Sequence, residues 1–358
     1  MGDQYQRRRG ALAARIAADA DAVLITKLVN VRYLTGLASS NAALLVRAGG
    51  EAVLATDSRY AGTAGRVCPE LDLIVERPTA EALTTRAAET GVRRLAFEAH
   101  AMTVEKHAAL TALDGRLAFA PAGHQVEDLR RVKDEDEIAL LREACAISDR
   151  ALAEVLPTLG AGLTEREVAI ALDRRMIDLG ADAIAFDTIV ASGPNGAIPH
   201  HRPGDRVLER GDLVTIDFGA LKGGYHADMT RTVAIGAPGG WQRDLYDLVL
   251  RAQLAGIAAA VPDADTKDVD AAARDLIVAA GHGEDFPHGL GHGVGLEIHE
   301  APLMGYDKTG KLTDRVPITA EPGVYLAGRG GIRIEDTLVV RADGPELLTE
   351  TTKDLLVL

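Results

Sequence analysis

Residues 214–232 read VTIDFGALKGGYHADMTRT, and this stretch decides the fold. Asp217 sits inside an apolar, β-branched run of the kind that fills a sheet interior, and Asp228 sits inside a second extended run. Gly223 and Gly224 between them supply the backbone freedom of a turn, so a hairpin is predicted with strands over 213–218 and 225–235. If it is symmetric about Lys222–Gly223, Asp217 and Asp228 oppose each other on one face, which Thr215, Thr230 and Thr232 share. An unpaired buried carboxylate costs several kcal/mol or takes up a proton. Two opposed carboxylates persist when one is protonated or a cation lies between them. A structural or turn-capping role for the pair is the alternative that the hairpin alone leaves open.

The pattern on either side of the hairpin is regular. Upstream, Ile138, Leu141, Cys145, Leu152 and Val155 fall at helical spacing within 130–156. The next stretch, LTEREVAIALDRRMIDLG, opens with a capping box of Thr164 and Glu167 and stops at Gly180. Downstream, 241–261 and 266–281 read as long helices. Strand candidates cover 184–191, 212–219, 225–236, 315–320, 323–327 and 331–340. Helices and antiparallel strand pairs in separate blocks read as α+β, and both halves run helix, helix, hairpin, which hints at a duplication. Residues 1–125 differ. Short apolar runs at 22–26, 42–48, 51–57, 71–76 and 93–99 alternate with helical stretches near 5–19, 59–67, 79–90 and 103–113, the signature of a smaller α/β domain. Two domains are expected, 1–125 and 126–358.

Bulk properties narrow the function. The chain has 358 residues, long for one core, and its 47% hydrophobic and 26% charged residues are ordinary globular composition. A net charge of −14 argues against nucleic acid and against an anionic membrane surface. Two cysteines, Cys68 and Cys145, form no disulfide framework and fit a reducing compartment. No run approaches the ~20 apolar residues of a membrane span. Arg7, Arg8 and Arg9 precede GALAARIAADADA, which Arg15, Asp19 and Asp21 break, so no signal-peptide core is present and a cytoplasmic protein is expected.

Three further stretches carry chemistry. FPHGLGHGVGLEIHE (286–300) holds His288, His292 and His299 among glycines that let backbone approach a ligand closely and argue against a helical zinc motif. ITAEPGVYL (318–326) puts Glu321 at a strand end. GIRIEDTLVV (331–340) puts Glu335 on one strand face with Arg333 and Thr337, where an ion pair with Arg333 is the plain explanation. The set weighs more than any member. Asp217, Asp228, Glu321, Glu335 and one imidazole suit a pair of divalent ions bound mainly through oxygen.

The ordered set TIDFGA, GGYHADMTRT, HGLGHGVGLEIHE, EPGVY and IRIEDT resembles the Xaa-Pro peptidases, aminopeptidase P and prolidase, of the pita-bread metallopeptidases. SGPNGAIPHHRPGDRVLERGD (192–212) resembles the family segment before the first aspartate. NVRYLTGLASSNAALLV (30–46) and TDSRY (56–60) resemble the creatinase/prolidase N-terminal domain, so the likeness spans nearly the whole chain. It implies duplicated helix-helix-hairpin halves around a curved antiparallel sheet. It also implies two divalent ions, Mn or Co first, with Zn or Fe as alternatives, and a homodimer acting on proline-containing peptides. By this likeness Asp217 chelates one ion, Asp228 and Glu335 bridge both, and His292 and Glu321 bind the second. A metal-bridging hydroxide attacks the carbonyl before proline. Glu321 shuttles the proton, and His200 and His299 stabilise the oxyanion, with His201 as an alternative to His200. His288 lines the substrate pocket, and Arg333 and Thr230 support the ligands from behind.

The chain departs from the prolidase pattern after HE, where HEAPLMGYDK lacks the arginine that holds a dipeptide's carboxylate; Arg329 or Arg202 is a candidate substitute. Aminopeptidase P-like action is therefore slightly favoured, with Xaa-Pro dipeptidase as the alternative. A creatinase-like C–N hydrolase without metal and a non-catalytic binding module are the remaining readings, and the complete ligand set speaks against both.

Overall fold

A computed structural model describes residues 2–358. The chain divides into two compact units, Met1–Arg130 and Arg131–Leu358.

In the first unit six strands form one mixed sheet: β1 (Ala22–Ile25), β2 (Ala42–Arg47), β3 (Ala52–Thr56), β4 (Asp72–Val75), β5 (Arg94–Phe97) and β6 (Ala118–Pro121). Their order is β4-β3-β2-β1-β5-β6. The middle pairs β1–β2 and β2–β3 are antiparallel, and the outer pairs are parallel. β1 is buried along its whole length, as its unbroken AVLI run requires of a central strand. Leu83, Ala87 and Leu110 from flanking helices close the core over Leu24, Leu45 and Leu95. The helix Leu28–Thr35 and strand β6 go unnoticed in the apolar pattern.

In the second unit the strands are β7 (Ala183–Ile184), β8 (Ile189–Ser192), β9 (Leu213–Phe218), β10 (Ala220–Lys222), β11 (Tyr225–His226), β12 (Met229–Ala234), β13 (Gly291–Gly293), β14 (Glu300–Met304), β15 (Pro317–Ala320), β16 (Gly323–Leu326), β17 (Gly330–Arg333), β18 (Asp336–Val339) and β19 (Glu346–Leu347). The first half runs helix Glu135–Val155, helix Glu165–Asp178, then the antiparallel sheet β12-β9-β8. The second runs helix Gly240–Ala259, helix Thr266–Ala279, then the sheet β14-β13-β15-β18-β19. Each helix pair covers its own core. Leu152, Leu172 and Met176 pack on Ile216, Phe218 and Met229 in the first half. Val249, Ala252 and Ile277 pack on Ile318, Ile332 and Leu338 in the second. An antiparallel bridge between Thr230 and Glu335 joins the two sheets. The duplicated α+β architecture expected from the sequence is the one observed.

The predicted hairpin register is wrong by one turn position. Lys222 pairs with Tyr225, so the turn centres on Gly223–Gly224, both at positive φ (58° and 91°). Moving the centre by one residue shifts the pairing by two, and Asp217 stands opposite Thr230. Asp228 becomes its diagonal neighbour, still on the same face because the shift is even. The glycine-rich histidine stretch is absent from the strand candidates, and its backbone departs from that reading. Gly291–Gly293 is a strand between β14 and β15. A Cβ on Gly291 would lie 2.1 Å from the Thr319 carbonyl oxygen, so glycine is what lets the strands pack this closely.

Candidate active site

The carboxylates meet at the seam between the two halves. Asp217 projects from β9, Asp228 immediately precedes β12, His292 is the middle of β13, Glu321 follows β15, and Glu335 immediately precedes β18. All five line one cavity of about 470 Å³. Asp217, Asp228 and Glu335 are buried, Glu335 to 1% exposure, whereas the Glu321 side chain keeps 20%.

Hydrogen bonds aim these groups. His292 Nδ1 donates to the Gly293 carbonyl at 3.0 Å, which leaves Nε2 as a lone-pair donor 3.5 Å from Asp228 Oδ2 and 3.4 Å from Glu321 Oε1. Thr230 Oγ1 donates to Glu335 Oε2 at 2.7 Å. Arg333 does not pair with Glu335, as the sequence had allowed. Its Nη2 donates to Asp217 Oδ2 at 2.6 Å, its Nε to Thr230 Oγ1 and its Nη1 to Tyr325 Oη. Thr230 Oγ1 stands between the two, accepting from Arg333 Nε and donating to Glu335 Oε2.

Arg333 compensates Asp217 and leaves the other carboxylates of the cluster without a directly bound cation. Burial, reinforced by neighbouring carboxylates, pushes Asp228 and Glu335 well above the usual carboxylate range. Burial raises Glu321 to about 8, with Arg333 opposing and Asp217 adding to the rise. Burial lowers His292 to about 4, so its imidazole is neutral at neutral pH. Asp217 Oδ1 is buried without a hydrogen-bond partner. Ligand atoms of Asp228, His292 and Glu335 lie within 4.8 Å of one another. An orphaned carboxylate oxygen, repelling carboxylates and a neutral imidazole with its lone pair directed inward fit divalent cations and leave no plain structural explanation.

Around this cluster His288, His299 and His200 line the same cavity. The His299 ring lies 4.4 Å from that of His292. His288 Nδ1 donates to the Gly289 carbonyl and its Nε2 accepts from Tyr325 Oη, linking it through Tyr325 to Arg333. His201 does not line the cavity. It hydrogen-bonds Glu165 at 2.7 Å, whereas His200 lines the cavity. Neither Arg329 nor Arg202 reaches the cavity among the described residues; Arg329 instead stacks on Trp241 at 4.1 Å. The lining cations are Arg333 and Lys308. Tyr325, Lys308 and Glu165 were missed in the sequence. Tyr325 was visible only as the last letter of EPGVY, and nothing local marks the other two.

A second group of metal-capable side chains, His100, His124 and Glu127, lies in the first unit. There Glu127 already accepts hydrogen bonds from Asn30 and His100 and faces Lys27.

Comparison with known proteins agrees with this architecture. Residues 139–342 match metallopeptidase family M24, and residues 7–132 match the creatinase/prolidase N-terminal domain. A Xaa-Pro dipeptidase of Pyrococcus furiosus is 45% identical over 232 residues, 64% of this chain and 66% of that protein. The structure of a Xaa-Pro dipeptidase from Bacillus anthracis superposes with a TM-score of 0.95 at 34% identity, covering 100% of both chains. That of an X-Pro aminopeptidase from Thermotoga maritima gives 0.90 at 34% identity, covering 97% of this chain and 99% of the other. The chain belongs to metallopeptidase family M24, among the Xaa-Pro peptidases, and is a peptidase of the divalent-metal class. No helix among the described residues is long and apolar enough to cross a membrane.

Proposed function

We propose that the protein is a Xaa-Pro dipeptidase with two divalent ions held by Asp217, Asp228, His292, Glu321 and Glu335. The observation that carries the metal reading is the convergence of four carboxylates and one inward-facing imidazole on one buried focus. Ions bound there supply Lewis acidity and lower the pKa of water. Mn or Co suits the oxygen-rich donor set.

The chain's own groups do the rest. Glu321, the most exposed of the five ligands, faces the substrate space and carries a proton from the attacking water to the proline nitrogen. That nitrogen leaves as a secondary amine and needs the proton. His200 and His299 donate hydrogen bonds to the developing oxyanion. Tyr325 holds His288 in one tautomer at the pocket wall. Arg333 fixes Asp217 from behind, and Thr230 fixes Glu335.

The sequence slightly favours aminopeptidase P; the dipeptidase alternative is better supported. The relatives named as dipeptidases include one at 45% identity. The cavity also offers a cation for a free carboxylate. Arg333 is committed to Asp217 and Tyr325, whereas Lys308 has only an exposed contact with neighbouring Asp307 at 3.1 Å. Lys308 would hold the proline carboxylate of a dipeptide. Competition between Xaa-Pro and Xaa-Pro-Yaa substrates in Mn²⁺ tests this. Preferential cleavage of the dipeptide is expected, and preference for the longer peptide would return the assignment to aminopeptidase P.

A further inference from the structure

Glu165 is the most completely satisfied buried carboxylate near the cavity, and it touches none of the expected metal ligands. It is fully buried at the first position of helix Glu165–Asp178. Its Oε1 accepts from Ser192 N (2.8 Å), Ser192 Oγ (2.7 Å) and Asn195 Nδ2 (2.9 Å). Its Oε2 accepts from His201 Nε2 (2.7 Å) and Gly204 N (3.2 Å). Burial alone would raise its pKa, but the bonds from Asn195, Ser192 and His201 outweigh it and keep the carboxyl below its usual range. An ionised carboxylate only accepts, so each donor has one possible sense. His201 therefore carries its proton on Nε2. The Ser192 hydroxyl donates to Glu165 and accepts from Arg206 Nη1 at 2.6 Å.

Both ends of the segment 192–204 thus converge on one side chain. His200 lies within this span, directly before the His201 anchor. Among the described residues no hydrogen bond holds the His200 ring, which is exposed to the cavity. Its placement therefore rests on its backbone. The chain is held on one side through the His201 ring, whose Nε2 donates to Glu165, and on the other at the Pro199 carbonyl, which accepts from Arg333 Nη1 at 3.3 Å. Arg333 in turn holds Asp217.

We propose that Glu165 is a positioning residue that sets the imidazole of His200 over the scissile bond, with His201 as the contact that transmits the constraint. This rests on His200 facing substrate, as the proposed function has it. A glutamine at 165 keeps the shape but turns one acceptor into an NH₂ donor, set against N–H and O–H groups that also donate.

The test uses the full chain loaded with Mn²⁺, comparing Glu165→Gln, His201→Ala, His200→Ala and the combinations with His200→Ala. Glu165→Gln is expected to lower kcat about 100-fold, the loss that a displacement near 1 Å causes, with metal content per chain unchanged. His201→Ala, which breaks one contact at a partly exposed site, is expected to lose roughly 10-fold and provides the variant least disturbing to folding. Added to His200→Ala, neither change should lower kcat further, because both act through the same ring. Multiplying losses in the double variants would overturn the proposal. Amide hydrogen exchange across 193–204 reads the clamp without substrate: protection falls in Glu165→Gln if the clamp exists, and unchanged protection overturns it. If the wild-type enzyme leaves Xaa-Pro peptides intact, the proposed function falls, while the exchange measurement still decides the clamp.

Discussion

In the first half of the C-terminal unit Asp228 stands one residue before the third strand of its sheet, β12. In the second half Glu335 stands one residue before β18, the third of the adjacent central strands β13, β15 and β18. The second strands match as well, with Asp217 within β9 and Glu321 just beyond β15. The first strands break the likeness. β8 is a buried IVAS run without a ligand, whereas β13 is GHG and delivers His292. One half thus offers oxygen alone, and the other adds an imidazole. Repetition of a hairpin accounts for the paired carboxylates, and the glycine-rich first strand of the second half accounts for the asymmetry of the centre.

The largest effect should come from the matched positions. Asp228→Asn and Glu335→Gln should each lower kcat at least about 1,000-fold, with metal per chain falling in elemental analysis, because each removes a charge that the ions require. Near-normal rates in one variant but not the other would break the equivalence. The unmatched position should behave differently. His292→Ala is expected to release one of the two proposed ions and cost more than the ~100-fold that outer-sphere changes at metal sites reach. Retention of both ions would remove the asymmetry.

Chelation comes next. Ligand at 100 times its dissociation constant contributes about 2.7 kcal/mol, so metal removal should lower the melting temperature by roughly 5–10 °C. In the apo-protein the raised pKa values set a sign. Glu321 goes from 4.5 to about 8 on folding, so the folded state binds its proton more tightly. No penalty exists below the unfolded value. It grows as pH rises from 4.5 towards 8 and is complete above that. Chelated protein should therefore melt at a higher temperature at pH 5 than at pH 8, relative to loaded protein; a flat difference would mean that the cluster is not strained. The smallest effect belongs to Lys308→Ala, which touches no ligand. It should raise KM for Xaa-Pro about 10-fold with kcat and metal content unchanged, the value of one exposed charge contact of about 1.4 kcal/mol. An unaltered KM would leave the carboxylate without a partner.

Much of this centre is legible in the sequence because carboxylates in β-branched runs are costly wherever they fall, and that cost is visible residue by residue. Asp217, Asp228 and Glu335 announce themselves in this way. Pairing is less legible. The hairpin centre depends on whether one or two residues take positive φ, and both Lys222–Gly223 and Gly223–Gly224 satisfy the pattern until the backbone is seen. The β13 strand is hidden because glycine lowers strand propensity at the place where close packing demands it. Partners remote in the chain are hidden altogether. Arg333 stands two residues from Glu335 yet binds Asp217, and Glu165 reads as nothing more than the first turn of a capped helix.

The join between the halves has a further consequence. Glu335 N donates to Thr230 O, Thr232 Oγ1 donates to the Arg333 carbonyl, and Thr337 Oγ1 donates to the Asp228 carbonyl. Each of these bonds between the two repeats thus involves a proposed ligand or a residue two positions from one. If the proposed ions sit there, removing them is expected to loosen the join between the repeats, so that loss of activity and the first local opening of the fold coincide. A protease added after chelation would be expected to cut between the repeats before it reaches either core.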